Sequence, residues 1–155
     1  TVIGLKIQKK LNKESLDYVK HLLCKYGLKD FMNTKISSLS GGMKQRVALI
    51  RTIATKPDLI FLDEPFSALD YQTRLKVSDD IYRIVKEENI TVIMVTHNIS
   101  EAISVSDRVL VLSKRPSKIK NIYDIVLSNK STPINNRKAP EFQVYYDKLW
   151  KDIDE

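Results

Sequence analysis

Glycine is scarce in this chain: four residues in 155, at Gly4, Gly27, Gly41 and Gly42. None is followed by lysine, which excludes a Gly-Lys loop of the kind that wraps the phosphates of a nucleotide. Cysteine is scarcer still. Cys24 is alone, so no internal disulfide can form, and a reducing cytoplasm suits the chain. Cys24 lies in a helical pattern, which predicts that it packs there. No apolar run approaches the length of a transmembrane helix; the longest, Thr91 to Val95, is strand-sized. No secretory signal pattern opens the sequence, and there are no repeats or low-complexity tracts. Lys and Arg number 26 against 19 Asp and Glu, a net charge of +7. They form no long block and do not interleave with aromatics. That scatter predicts a solvated basic surface and argues against a nucleic-acid partner.

What is present reads as a globular α/β chain. Hydrophobic residues make up 43% of it, enough to bury a core at this length. Leu16, Val19, Leu22, Leu23 and Tyr26 recur at helical spacing, with Asn12 suited to the N-cap and Gly27 to the stop. A second helix is predicted after Gly42, with Met43, Val47, Ile50 and Ala54 on one face, ending before Pro57. The texture then changes. Leu59 to Leu62 is a continuous apolar run between Pro57 and Pro65, which predicts a strand buried on both faces of a parallel sheet. A helix from Asp70 to Glu88, a strand from Thr91, a short helix from Asn98 to Val105 and a strand from Arg108 to Leu112 complete an alternating pattern. Residues 118–127 predict one or two further strands, and residues 128–138 a loop. A closing helix from Pro140 to Ile153 carries Phe142, Tyr145, Leu149, Trp150 and Ile153, and is expected to pack on the domain's own body.

Three clusters carry chemistry. Asp63 and Glu64 stand side by side at the carboxyl end of a strand, where parallel sheets present ligand sites. A divalent cation at Asp63 would relieve their repulsion, and Glu64 could then polarise a water. His97 ends the next strand, which should lie beside the Asp63–Glu64 strand. Ser40, Gly41 and Gly42 open a helix. Its N-terminus carries about half a positive charge, and glycines there would let an anion approach bare backbone. Taken singly, each cluster also reads as ordinary structure: a solvated strand end, a structural histidine, a plain helix start. Asp70 taken alone is simply a good N-cap.

Taken in order, these residues resemble a known family. Leu39-Ser-Gly-Gly-Met-Lys-Gln-Arg46 resembles the signature motif of the ATP-binding-cassette (ABC) transporter ATPases. Leu59 to Glu64 is similar to that family's Walker B strand with its glutamate, Ser67 to Asp70 to its D-loop, and His97 to its switch histidine. Phe66 to Arg74 and Val111 to Pro116 further resemble the ATPases of nitrate, taurine and alkyl-sulfonate importers. Asn98 departs from the aspartate common after the histidine, and Ser67 from a frequent glycine.

The resemblance implies a partial P-loop NTPase fold. Residues 1–56 would form the helical subdomain with the signature motif. Residues 57–113 would form part of the α/β core, and residues 114–155 the C-terminal strands and helix. The P-loop strand would lie between the strand ending at His97 and the strand Arg108–Leu112, and its absence would leave a gap in the parallel sheet. The glutamine loop is absent as well, since Gln8 falls too late, and the chain is expected to be the C-terminal part of a longer ATPase. Implied cofactors are ATP and Mg2+. Implied roles are Asp63 on the metal, Glu64 as general base and His97 on the γ-phosphate. Ser40, Gly41, Gly42 and Gln45 would meet the nucleotide, and Asp70 would link two sites. Implied partners are a second ATPase subunit, membrane permeases and, indirectly, a substrate-binding receptor, at the cytoplasmic face of the membrane. The chain alone is expected to be inactive. An interaction module supplying half of an ATP site is the alternative.

Overall fold

A computed structural model describes residues 1–154. The chain divides into two compact units, Thr1–Met94 and the residues from Val95 onward.

The first unit starts with α1 (Ile3–Ile7), a short helix that the sequence pattern did not announce. Helix α2 (Lys13–Lys25) is opened by a reciprocal capping box. The Ser15 backbone N–H donates to the Asn12 side chain, and the Asn12 N–H to the Ser15 hydroxyl. It is closed by Gly27 at φ 71°, a left-handed stop that leaves Gly27 N–H on the Cys24 carbonyl and Leu28 N–H on Leu23. Cys24 itself is exposed, against the expectation that it packs, because α2 buries only the stripe of Val19, Leu22 and Leu23. After two single-turn 3-10 segments comes α3 (Gly41–Ile53), which buries Leu49, Ile50 and Ile53. Strand β1 (Leu59–Asp63), helix α4 (Tyr71–Glu87) and strand β2 (Thr91–Val95) follow as a strand–helix–strand unit, with β1 beside β2. Asn89, at φ 51°, ends α4 as Gly27 ends α2.

These elements share one core. Leu22, Leu28, Ile50, Ile53, Phe66 and Ile84 are its most deeply buried members. Ile60, Leu62, Val92 and Met94 point into it from the sheet. Both strands therefore alternate, and the expectation of burial on both faces is not met. Phe61 is 70% exposed, and Leu59 and Ile93 are exposed beside it. Within the first unit, the side chains of α3 and α4 share a core with one face of this sheet.

The second unit holds α5 (Ile99–Val105), strand β3 (Arg108–Leu112), strand β4 (Ile119–Asp124), α6 (Pro133–Asn136) and α7 (Pro140–Asp154). β4 pairs antiparallel with β3, Leu110 opposite Ile122, so the 118–127 segment forms a hairpin with its predecessor. The predicted loop contains α6, capped by Thr132 with Pro133 at its first position. α7 packs through Phe142, Tyr145 and Leu149 against Ile103, Val111, Ile125 and Leu127. Its Trp150 and Ile153 stay exposed, so the helix packs on its own unit only in part. Among the described residues β1 and β2 form one two-stranded sheet, and β3 and β4 another. No helix of the described residues is long and apolar enough to cross a membrane.

Candidate nucleotide site

Asp63 is the last residue of β1 and is exposed. Immediately after it, Glu64 takes φ 45°, a left-handed conformation that a non-glycine residue rarely adopts. Such a conformation costs on the order of 1–3 kcal/mol and persists only where its surroundings hold it. Here the hold is visible. The Glu64 carbonyl accepts the Ser67 N–H at 3.3 Å and the Ser67 hydroxyl at 3.0 Å. Pro65 and Phe66 are buried behind the turn, Phe66 in the core. The two acidic side chains thus leave the strand end in a fixed, sharply turned backbone, Glu64 half-buried and Asp63 in solvent.

The same turn runs on into α4. Leu69 N–H donates to the Phe66 carbonyl, and Asp70 caps α4 by accepting the Thr73 N–H at 3.0 Å. The bond to Thr73 holds the exposed Asp70 carboxyl below the usual carboxylate range. A cap made by a charged oxygen at a helix N-terminus is favoured by the helix dipole as well.

Ser40 caps α3, its hydroxyl oxygen accepting the Met43 N–H at 3.3 Å. The cap uses a lone pair, so the hydroxyl hydrogen can still donate to an anion. The first turn of α3 contains no acidic residue. Gly41 and Ser40 are exposed, and Gln45 is half-buried along the same helix. Gly42 differs from the sequence reading. It is buried, and a Cβ built on it would lie 2.8 Å from Val77 Cγ2. A Cβ on Gly41 would lie 3.0 Å from Leu69 Cδ2. The glycine pair therefore lets α3 close onto α4 and the turn before it. Room for an anion belongs to the exposed Ser40–Gly41 end.

In the second unit His97 follows β2 and is exposed. Around it Thr96 donates its hydroxyl to Glu101 at 2.9 Å, and Asn98 N–H donates to the Thr96 hydroxyl at 3.0 Å. The Asn98 side chain in turn accepts the Glu101 N–H, capping α5. Glu101 is only 3% exposed. The sequence reading missed it, and the Asn-x-x-Glu spacing of a helix cap was the signal available.

Among the described residues no three His, Cys, Asp or Glu side chains gather into a metal cage. One exposed carboxylate at a strand end fits a Mg2+ that takes most of its oxygens from phosphates and water, and does not fit a protein-caged ion. Asp63 is the residue that would hold it.

A sequence model of the family described as ABC transporter matches residues 4–67. YtlC of Bacillus subtilis, an uncharacterized ABC transporter ATP-binding protein, is 41% identical over 98% of this chain and 59% of its own length. The nitrate import ATP-binding protein NrtD of Synechocystis sp. is 38% identical over 94% of this chain and 57% of its own. The taurine import ATP-binding protein TauB of Jannaschia sp. is 40% identical over 80% and 47%. A solved ABC transporter of metal-chelate type, in an inward-facing conformation, aligns with a TM-score of 0.62 at 27% identity, over 75% of this chain and 45% of that one. The chain thus spans about half to three fifths of the length of these relatives. Its fold, its motifs and their order agree with these matches, which are those of an ABC transporter ATP-binding domain.

Proposed function

We propose that this chain supplies two half-sites of an ATP-hydrolysing pair of subunits that energises an importer. The observation that carries the reading is the turn at Glu64. A glutamate in left-handed backbone, bound at its carbonyl and placed one residue beyond an exposed aspartate, is the arrangement expected of a fixed general base beside a metal carboxylate. Glu64 would orient and deprotonate the attacking water. Asp63 would hold Mg2+, which supplies charge neutralisation at the phosphates. His97 would contact the γ-phosphate. Ser40 and Gly41 would donate to a nucleotide held by a second copy, with Gln45 nearby, while Gly42 lets α3 approach closely. Asp70 and its neighbours would link the two sites.

The likeness to nitrate and taurine import proteins supports a small anion such as nitrate, taurine or an alkyl sulfonate as cargo. The same likeness supports membrane permeases and a substrate-binding receptor as partners, and a peripheral place on the cytoplasmic face of the membrane. Residues 1–56, 57–113 and 114–155 are read as the helical, core and C-terminal parts of the larger domain. Without a Gly-Lys loop of its own, the chain by itself is read as unable to turn over ATP.

The test is Glu64→Gln in the full-length protein. Nucleotide affinity should be kept, because the amide is nearly isosteric, and phosphate release should fall by about 100-fold or more. Hydrolysis by this variant at the wild-type rate would remove Glu64 as the base.

A further inference from the structure

We infer that Leu69 and Arg74 are positioning residues, a brace that fixes the N-terminus of α3 to the Glu64 turn within one subunit. Three observations converge on it. The Leu69 side chain is seated on α3 where Gly41 has no Cβ: a methyl there would meet Leu69 Cδ2 at 3.0 Å. The Leu69 backbone is held from both sides. Its N–H donates to the Phe66 carbonyl at 3.1 Å, and its carbonyl accepts Arg74 Nη2 at 3.1 Å. Finally, the bonds from Ser67 to the Glu64 carbonyl join this turn to Glu64 itself.

The chain from Glu64 to Arg74 is therefore one hydrogen-bonded piece, anchored in the core by Phe66 and in α4 by the Asp70 cap. Leu69 is where that piece touches α3. Arg74 reaches back from the first turn of α4, so the guanidinium closes the piece on itself. A side chain that cannot donate would release the Leu69 carbonyl and let Leu69 drift from Gly41.

The consequence rests on the proposed function. Ser40 and Gly41 would serve the nucleotide of the second copy, and Glu64 the nucleotide of its own subunit. A rigid link between them makes closure at one site a displacement at the other. Small misplacements of catalytic groups lower rates steeply, whereas binding is less sensitive.

The experiment uses the full-length ATPase with Leu69→Ala, Leu69→Met, Arg74→Met and Arg74→Lys. Arg74→Met and Leu69→Ala should lower kcat by about tenfold or more, with KM for ATP changed less than about twofold. Arg74→Lys, which keeps a donor, and Leu69→Met, which keeps an apolar stem, should recover most of the rate. Unchanged kcat in Arg74→Met and Leu69→Ala would overturn the brace. So would a loss of kcat that follows a lowered melting temperature and is not recovered by the conservative variants. A second arm does not depend on catalysis. In residues 1–155, the melting shifts of Gly41→Ala and Leu69→Ala should be non-additive when combined, because the first methyl fills the space the second vacates. Additive shifts would reject the contact. Non-additive shifts beside a full-length protein that hydrolyses no ATP would keep the brace and reject the proposed function instead.

Discussion

At the scale of single residues, Gly42 shows how one residue type carries two readings. A glycine pair at a helix start suggests room for a phosphate, yet the missing Cβ of Gly42 faces Val77, 2.8 Å from its Cγ2. Valine on a helix is stiff about χ1 and cannot step aside cheaply. Elsewhere in a helix, replacing glycine by alanine stabilises by about 0.5–1 kcal/mol. Here Gly42→Ala is expected to have the opposite sign, a loss of roughly 1–3 kcal/mol from overpacking. Denaturant unfolding of Gly42→Ala, alone and with Val77→Ala, reads this directly. The double variant should lose less than the sum of the single losses, and a stabilised Gly42→Ala would refute the packing account. Glu64 is the converse case. Its position was legible as a carboxylate beside Asp63, but its left-handed backbone was not, because the strain depends on the turn through Ser67 and Phe66.

At the scale of elements, α2 is joined to the end of α4 by a polar clasp. The Tyr26 hydroxyl donates to Glu88 at 2.5 Å, Lys25 Nζ reaches Glu88 at 2.8 Å, and the Tyr18 hydroxyl donates to Glu88 at 3.3 Å. Burial first, then the bond to Glu88, pushes Tyr26 up to about 12. Burial works to raise Glu88, but the bonds from Lys25 and Tyr26 outweigh it and hold the carboxyl below its usual value. The signs give two windows. Tyr26 ionises more readily in the unfolded chain, so its contribution is full below the usual tyrosine value of 10.0 and is lost as pH rises toward 12. Glu88 takes up a proton more readily when unfolded, so its contribution is full above the usual 4.5 and is lost as pH falls through the lowered value. Tyr26→Phe should cost about 1–2 kcal/mol near neutral pH and flatten the alkaline loss, as measured by urea unfolding at several pH values. An unchanged alkaline limb would show that Tyr26 is not its source. None of this clasp was visible in the sequence, since its members lie more than 60 residues apart. What was legible were the elements with local signals: Asn12 and Gly27 bounding α2, Asp70 opening α4, and the apolar runs of β1 and β2. The helix at Pro133 was missed although Thr132 and Pro133 are a cap and first-turn pair, because the surrounding residues are polar and lack periodicity.

At the scale of the whole molecule, the apolar runs of β1 and β2 announced strands made for burial on both faces, and within the first unit one face is buried. That mismatch cannot be read from composition, because a run of apolar residues records the environment a strand suits and not which elements supply it. The order of the motifs was legible and set the family. That Ser40 serves a nucleotide on another copy rests on the family resemblance, because a helix N-terminus stabilises an anion only within its first turn and composition and spacing give no distance from that turn to a nucleotide. The central claim is that Ser40 and Glu64 serve two different nucleotides across a pair of subunits. Its most direct test is ATP-induced dimerisation of the full-length protein in the Glu64→Gln background, followed by sedimentation or light scattering. Ser40 is exposed, so Ser40→Glu adds a side chain and a charge at the α3 terminus without the overpacking that any change at Gly42 brings. The account predicts that ATP assembles Glu64→Gln into a stable dimer, and that Ser40→Glu added to it binds ATP normally as a monomer and does not dimerise. Dimerisation of the double variant at unchanged ATP concentration would contradict it.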